Sequence, residues 1–308
     1  MHSEIERLTQ DLKRHQYIAE RPVVTAIHLA SKLGRPLLVE GPSGVGKTEV
    51  AQVMAQVLGT ELIRLQCYEG IDTNAALYEW NYQKQLLHIR LSETRETTEA
   101  EIFSESYLLK RPLLQAITLD RSPVLLLDEI DRSDEEFEAF LLELLSDWQV
   151  SIPELGTVRA RQRPYTVLTS NRTRELSDAL RRRCFYLWID FPSFEKELEI
   201  VRTKVPQASG ALRSEVIAFV QMLRRLSLEK PPGISETLDW AAALVYFERD
   251  RLSRELVEST LGLILKHVED QNRMKSSYLK ALLGGLEVFP TAGLERAFQR
   301  VEAALQGR

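Results

Sequence analysis

Pro36-Leu-Leu-Val-Glu40 runs into Gly41-Pro-Ser-Gly44-Val-Gly46-Lys47-Thr48 and then into Glu49-Val-Ala-Gln-Val-Met-Ala-Gln-Val-Leu58. An apolar strand-like run, a glycine-rich loop of the form G-x-x-x-x-G-K-[ST] and an amphipathic helix follow one another without a break. The order has an electrostatic meaning. Glycines let the backbone wrap closely around an anion, and the loop amides and the positive end of the helix point at the same place. Gly41, Pro42, Ser43, Gly44, Val45, Gly46, Lys47, Thr48 and Glu49 are therefore the candidate cradle for a nucleoside triphosphate. Lys47 would reach the β- and γ-phosphates as a point charge, and the Thr48 hydroxyl would ligate Mg²⁺.

Further along, Pro123-Val-Leu-Leu-Leu127 is a continuous apolar run, as expected for a strand buried on both faces. It ends in Asp128-Glu129. Ligands sit at the C-terminal ends of strands in parallel sheets, so Asp128 would position Mg²⁺ and Glu129 would act as base for an attacking water. Tyr165-Thr-Val-Leu-Thr169 predicts another strand, closed by Ser170-Asn171, and the Asn171 amide could bond both the water and the γ-phosphate. Leu180-Arg181-Arg182-Arg183-Cys184-Phe185 precedes a last strand, Tyr186–Ile189. Three adjacent arginines cannot all be buried. A guanidinium inserted into a neighbouring subunit's site stabilises transition-state charge. Each feature also has an ordinary reading: solvated acids, a turn asparagine, a solvated basic cluster. The loop upstream favours the chemical one.

Leu62–Leu65 completes the strand set, and strands alternate with helices as far as residue 192. After Pro192 only helical patterns remain, near 194–204, 212–226, 235–248, 254–268 and 273–284. Pro206, Gly210, Pro231-Pro232-Gly233 and Gly284-Gly285 read as the breaks between them. An α/β core over residues 1–192 and a helical domain over 193–308 are expected. Within the core, a polar segment at about 80–105 reads as an insertion anchored by Tyr78, Trp80 and Tyr82. Residues 149–163 read as a hairpin around Pro153-Glu-Leu-Gly156.

Bulk properties narrow the function classes. The chain has 308 residues, beyond the usual size of one hydrophobic core. A net charge of −5 and a pI near 5.7 disfavour wholesale binding of nucleic acid or an anionic membrane. The two cysteines, Cys67 and Cys184, form no C-x-x-C motif and suit free thiols in a reducing compartment. The N-terminus is polar, and no apolar run approaches the ~20 residues of a membrane span. A cytoplasmic location is expected.

The phosphate loop, the Asp-Glu strand end, the Asn strand end and the arginine cluster, in that order, resemble the AAA+ ATPase superfamily. The resemblance implies a P-loop NTPase core with a parallel five-stranded sheet, followed by an all-helical lid. No Asn-Lys-x-Asp guanine motif is present, so ATP is the expected nucleotide, with Mg²⁺. Leu38-Val39-Glu40-Gly41-Pro42, Leu126-Leu127-Asp128-Glu129-Ile130-Asp131-Arg132, the hairpin and the insertion are similar to the MoxR family. Gln66–Gly70, Leu77–Tyr82 and Lys230–Trp240 look like its CoxD-type subgroup. This resemblance implies loop, Mg²⁺, base and first-sensor roles for Lys47, Thr48, Asp128, Glu129 and Asn171, and arginine fingers at Arg182 and Arg183. It also implies a homo-oligomeric, hexameric ring that remodels or matures a protein client, with a von Willebrand A-type partner and metalloenzyme maturation as examples. One departure stands out. Gly233-Ile-Ser235-Glu236-Thr237 carries threonine where many members have a second-sensor arginine, leaving Arg224 or Arg225 as stand-ins. Two rival readings remain: a nucleic-acid motor or loader, for which Lys84, His88 and Arg90 beside Trp80 and Tyr82 are a thin case, and a nucleotide-gated scaffold, disfavoured by Glu129 and the arginines.

Overall fold

The computed structural model describes residues 2–91 and 98–306; part of the predicted insertion, residues 92–97, lies outside the described residues. The strands are β1 (Leu37–Glu40), β2 (Leu62–Gln66), β3 (Tyr78–Trp80), β4 (Leu108–Lys110), β5 (Val124–Asp128), β6 (Gln149–Ile152), β7 (Gly156–Arg159), β8 (Tyr165–Ser170) and β9 (Phe185–Trp188). Five of them form one parallel sheet in the order β2-β5-β8-β1-β9. This is the expected P-loop core. Every residue of β1 and β5 is buried, which explains their uninterrupted apolar sequences.

Helices α1 (His2–Arg14), α2 (Arg21–Leu33), α3 (Lys47–Leu58), α4 (Thr73–Ala76), α5 (Tyr82–Leu91), α6 (Glu99–Ile102), α7 (Pro112–Thr118), α8 (Glu135–Asp147) and α9 (Asp178–Arg183) accompany the strands. Local chemistry sets their ends. Proline occupies the first turn of α2, and Gly34 closes it in the left-handed region at φ 60°. The Asp134 carboxylate caps α8 by accepting from the Phe137 N–H. Leu125, Leu127, Leu113, Ile117, Leu141 and Leu168 lie in the core of this part.

Two short antiparallel pairs stand apart from the main sheet. In β6/β7, Val150 faces Val158. In β3/β4, Trp80 faces Leu108, so the two ends of the inserted segment are joined by a three-residue ladder. Trp80 is buried edge-on against Phe103. The sequence shows an aromatic base at this place but no strand pairing.

The chain forms two compact units: Met1–Gly41 with Lys47–Ile189, and Pro42–Gly46 with Asp190–Arg308. The second unit contains α10 (Phe194–Lys204), α11 (Gly210–Arg224), α12 (Ile234–Tyr246), α13 (Arg254–Ile264), α14 (Val268–Arg273) and α15 (Leu279–Gln306). Phe219, Trp240 and Val257 are fully buried at its centre. Gly284-Gly285, read from sequence as a break, lies inside α15. A Cβ on Gly285 would sit 2.6 Å from Val301 Cγ2, so this glycine serves close packing rather than a turn. The real interruption comes later, where Pro290 precedes Gly293 at φ 79°. The helical pattern therefore continues to residue 306, well past the expected end at 284.

Candidate active site

The C-terminal ends of β1, β5 and β8 lie side by side, and their last residues carry the polar groups singled out from the sequence. α3 begins at Lys47. The Lys47 side chain is buried and donates to Gly41 O at 2.9 Å and to Asn171 Oδ1 at 2.7 Å. Burial lowers its pKa, while the nearby charges of Asp131, Asp128 and Glu129 oppose that shift. The Thr48 hydroxyl donates to Asp128 Oδ1 at 3.0 Å. The other end of the Asn171 amide, Nδ2, donates to Glu129 Oε1 at 3.3 Å.

Lys47, Thr48, Asp128, Glu129 and Asn171 therefore meet in one polar cluster. The intervening loop residues Pro42, Ser43, Gly44, Val45 and Gly46 group with the helical unit, where Gly44 O accepts from the Ile234 N–H at 2.8 Å. Gly44 and Gly46 take φ values of 79° and 92°, a backbone that favours glycine. Glu49 follows in the first turn of α3.

Several partners were not visible in the motifs. Arg64 bridges to Asp128 Oδ2 at 2.6 Å, and Gln66 Nε2 donates to Glu129 Oε2 at 3.0 Å. Both lie on β2, which is in register with β5 so that Gln66 pairs with Asp128. The sign is a polar strand end, and it has meaning only once β2 is known to neighbour β5. Arg132 Nε lies 3.1 Å from Glu129 Oε2. The Thr169 hydroxyl accepts from the Glu129 N–H at 2.9 Å and donates to Asp128 Oδ1 at 2.5 Å. It fixes the two acids relative to each other. Glu129 itself has a left-handed backbone at φ 55°.

The arginine run is divided by its contacts. Arg181 reaches the buried Glu40 carboxylate at 3.3 Å and lies over the Tyr186 ring. Arg183 donates to Ser146 Oγ at 2.7 Å and to Ala179 O at 3.0 Å. Arg182 is exposed and its side chain makes no hydrogen bond or ion pair among the described residues.

In the helical unit Arg224 grips Glu197 with its two terminal nitrogens, Nη1 and Nη2, at 2.7 and 2.8 Å, and Arg225 pairs with Glu295 at 2.9 Å. Both stand-ins for a second-sensor arginine are thus held by carboxylates of their own unit.

A P-loop and a strand-end acid pair on a parallel sheet define a P-loop nucleoside triphosphatase. Residues 36–184 match the AAA domain, dynein-related subfamily. The chain is 23% identical over 203 residues to the gas vesicle ATPase GvpN1 of Halobacterium salinarum, covering 62% of this chain and 57% of that protein. It is 26% identical over 209 residues to the Holliday junction branch migration complex subunit RuvB of Thermotoga maritima, covering 64% and 61%. An uncharacterized protein of Staphylococcus haemolyticus is 22% identical over 240 residues, covering 75% and 84%. A solved mutant of Thermotoga maritima RuvB superposes with a TM-score of 0.48 at 18% identity, covering 96% of this chain and 88% of that one. The matched residues form an AAA domain on the P-loop core, and ATP hydrolysis is the activity this supports.

Proposed function

We propose that the protein is a MoxR-type, CoxD-like AAA+ ATPase, working as a hexameric ring in the cytoplasm, that uses ATP hydrolysis to remodel or mature a protein client. The observation that carries this reading is the convergence of Lys47, Thr48, Asp128, Glu129 and Asn171 at one end of the sheet. Lys47 compensates the β- and γ-phosphates. Thr48 and Asp128 offer the hard oxygen ligands that suit Mg²⁺, which takes one or two protein oxygens alongside phosphates and water. When bound, the ion neutralises charge on the phosphates. Glu129 accepts a proton from water as the water oxygen bonds to the γ-phosphorus. The bond from phosphorus to the bridging oxygen breaks, and ADP leaves with that electron pair. Asn171 orients the water and the γ-phosphoryl group.

Arg182 is the finger in this scheme, because its guanidinium is free to reach another chain. Arg183, tied to Ser146 and to the Ala179 carbonyl, anchors the end of α9. A finger acting across a heterologous interface fits a ring, which such interfaces form when the rotation between subunits closes. The client role draws support from the likeness to a gas vesicle ATPase and from α5, which exposes Tyr82, Leu86, Leu87 and Leu91 between β3 and β4. A von Willebrand A-type protein belongs to the same proposal as the adaptor. No helix among the described residues is long and apolar enough to cross a membrane.

Mixing is the test. Arg182→Ala subunits combined with Glu129→Gln subunits should recover part of the activity that each lacks, since mixed interfaces pair an intact base with an intact finger. A finger contributes about 10³–10⁵ in rate. No recovery despite proven co-assembly refutes the trans assignment, and full activity of Arg182→Ala alone moves the finger to Arg183. The likeness to RuvB keeps one rival in play, a nucleic-acid motor. Turnover stimulated by DNA but by no protein would favour it.

A further inference from the structure

Asp131 is a buried carboxylate, 2% exposed, that the chemistry above does not use. It lies in the short turn Ile130–Arg132 that follows β5. Among the described residues, the three hydrogen bonds to its carboxylate all come from the segment after β8. The Asn171 N–H donates to Oδ1 at 3.2 Å, the Thr173 N–H to Oδ2 at 2.8 Å, and the Thr173 hydroxyl to Oδ2 at 2.7 Å. These donors converge because Arg172, between them, has a left-handed backbone at φ 58°. Arg174 continues the join, donating from Nε to Ser133 O at 2.8 Å. Strained backbone of this kind persists where the surroundings over-determine it. Here both strand-end loops contain one such residue, Glu129 and Arg172, and Asp131 is bonded across the gap between the loops.

We propose that Asp131 is a positioning residue for hydrolysis, one that locks the loop carrying Asn171 onto the loop carrying Glu129. The inference rests on the role given above to Asn171. Asp131 touches no reacting atom. It fixes the Asn171 backbone, and thereby the 3.3 Å spacing between Asn171 Nδ2 and Glu129 Oε1 on which the position of the attacking water depends. A carboxylate is suited to this task because it accepts from all the donors, with charge assistance on each bond. An asparagine in its place has one acceptor oxygen and turns an NH₂ group toward an N–H donor.

The experiment is a double-mutant cycle on the full-length protein, read by steady-state ATP hydrolysis and by nucleotide binding. Misplacing a reacting group by about 1 Å costs on the order of 10²-fold, so Asp131→Asn should lower kcat by about that factor. Nucleotide affinity should stay within about threefold, since the lost interaction operates on the transition state. In an Asn171→Ala background the same substitution should cost less than about threefold, because the group it acts through is gone. Thr173→Val, which removes only the hydroxyl donor, should give a smaller fall in kcat, again with binding intact; it carries the test if Asp131→Asn does not fold. Additive losses, or a loss of affinity in proportion to kcat, overturn the proposal. So does a slow Asn171→Ala variant beside an unimpaired Asp131→Asn. Full turnover by Asn171→Ala overturns the role of Asn171 itself and, with it, this route.

Discussion

Glu129→Gln separates chemistry from binding and from folding, and its magnitude can be worked from the contacts. The Glu129 side chain is 31% exposed. Its Oε2 is within reach of Gln66 Nε2 and Arg132 Nε, and its Oε1 accepts from Asn171 Nδ2. Glutamine retains one oxygen for Gln66 and Arg132 and gives up the bond from Asn171. Partly exposed charge pairs are worth roughly 0–1 kcal/mol, so folding stability should change by no more than about 1 kcal/mol. Asp128, Thr48 and Lys47 are untouched, so ATP and Mg²⁺ should still bind. The base contributes about 10²–10⁴ in rate, so its loss raises the barrier by about 2.7–5.4 kcal/mol. The assay is phosphate release at saturating Mg²⁺-ATP, alongside nucleotide binding by fluorescence anisotropy and a thermal melt. Turnover within a factor of about five of the parent, from folded and nucleotide-bound protein, would refute the assignment of Glu129 as the base.

Lys47→Ala should abolish nucleotide binding, because it removes the cation facing the terminal phosphates and leaves Asn171 Oδ1 without its donor; micromolar ATP affinity in this variant would sink the phosphate-cradle assignment. Glu197→Ala should destabilise the helical unit by about 3–5 kcal/mol, since it strands the buried Arg224 guanidinium; a melt shifted by less than about 1 kcal/mol would show that water or another acid replaces the carboxylate. Burial pushes the Cys67 and Cys184 thiols up to about 12. Neither should be alkylated in the native protein at pH 8 on the timescale of a denatured control, and rapid native labelling would show that one of them is accessible.

The sheet was legible in the sequence where burial leaves a one-line signature. Strands covered on both faces read as unbroken apolar runs up to their polar ends, and β1 and β5 are of this kind; β8, buried but threonine-rich, read as a strand from its β-branched residues. Strand order was not legible, because no periodicity says that β1 lies between β8 and β9. β3 and β4 were missed because three-residue strands separated by a long insertion have no pattern to show; only the buried Trp80 hinted at a packed base. Gly284-Gly285 misled for a physical reason. Glycine reads as a breaker from its backbone freedom, yet Gly285 is needed for the absence of a side chain beside Val301.

The site shows the same division. Lys47, Thr48, Asp128, Glu129 and Asn171 could be picked out because each belongs to a contiguous motif. Arg64 and Gln66 belong to no motif and arrive through the register of β2 against β5, while Thr169 and Asp131 sit inside motifs but take their meaning from partners on the opposite strand-end loop. The helical unit gives a physical reason for threonine at position 237. Thr237 is fully buried, and its hydroxyl lies within hydrogen-bonding distance of Glu197 Oε1 (2.8 Å), Gly233 O (3.1 Å) and Arg224 Nη2 (3.2 Å). Glu197 also accepts from Gln221 Nε2 at 2.7 Å, so both carboxylate oxygens are occupied. An arginine at 237 would bring a second guanidinium to a carboxylate already engaged by Arg224, in a place closed to water. One carboxylate cannot neutralise two buried cations. Threonine at 237 is thus the small partner that completes the Glu197–Arg224 pair, and a second-sensor arginine at this position is incompatible with that packing.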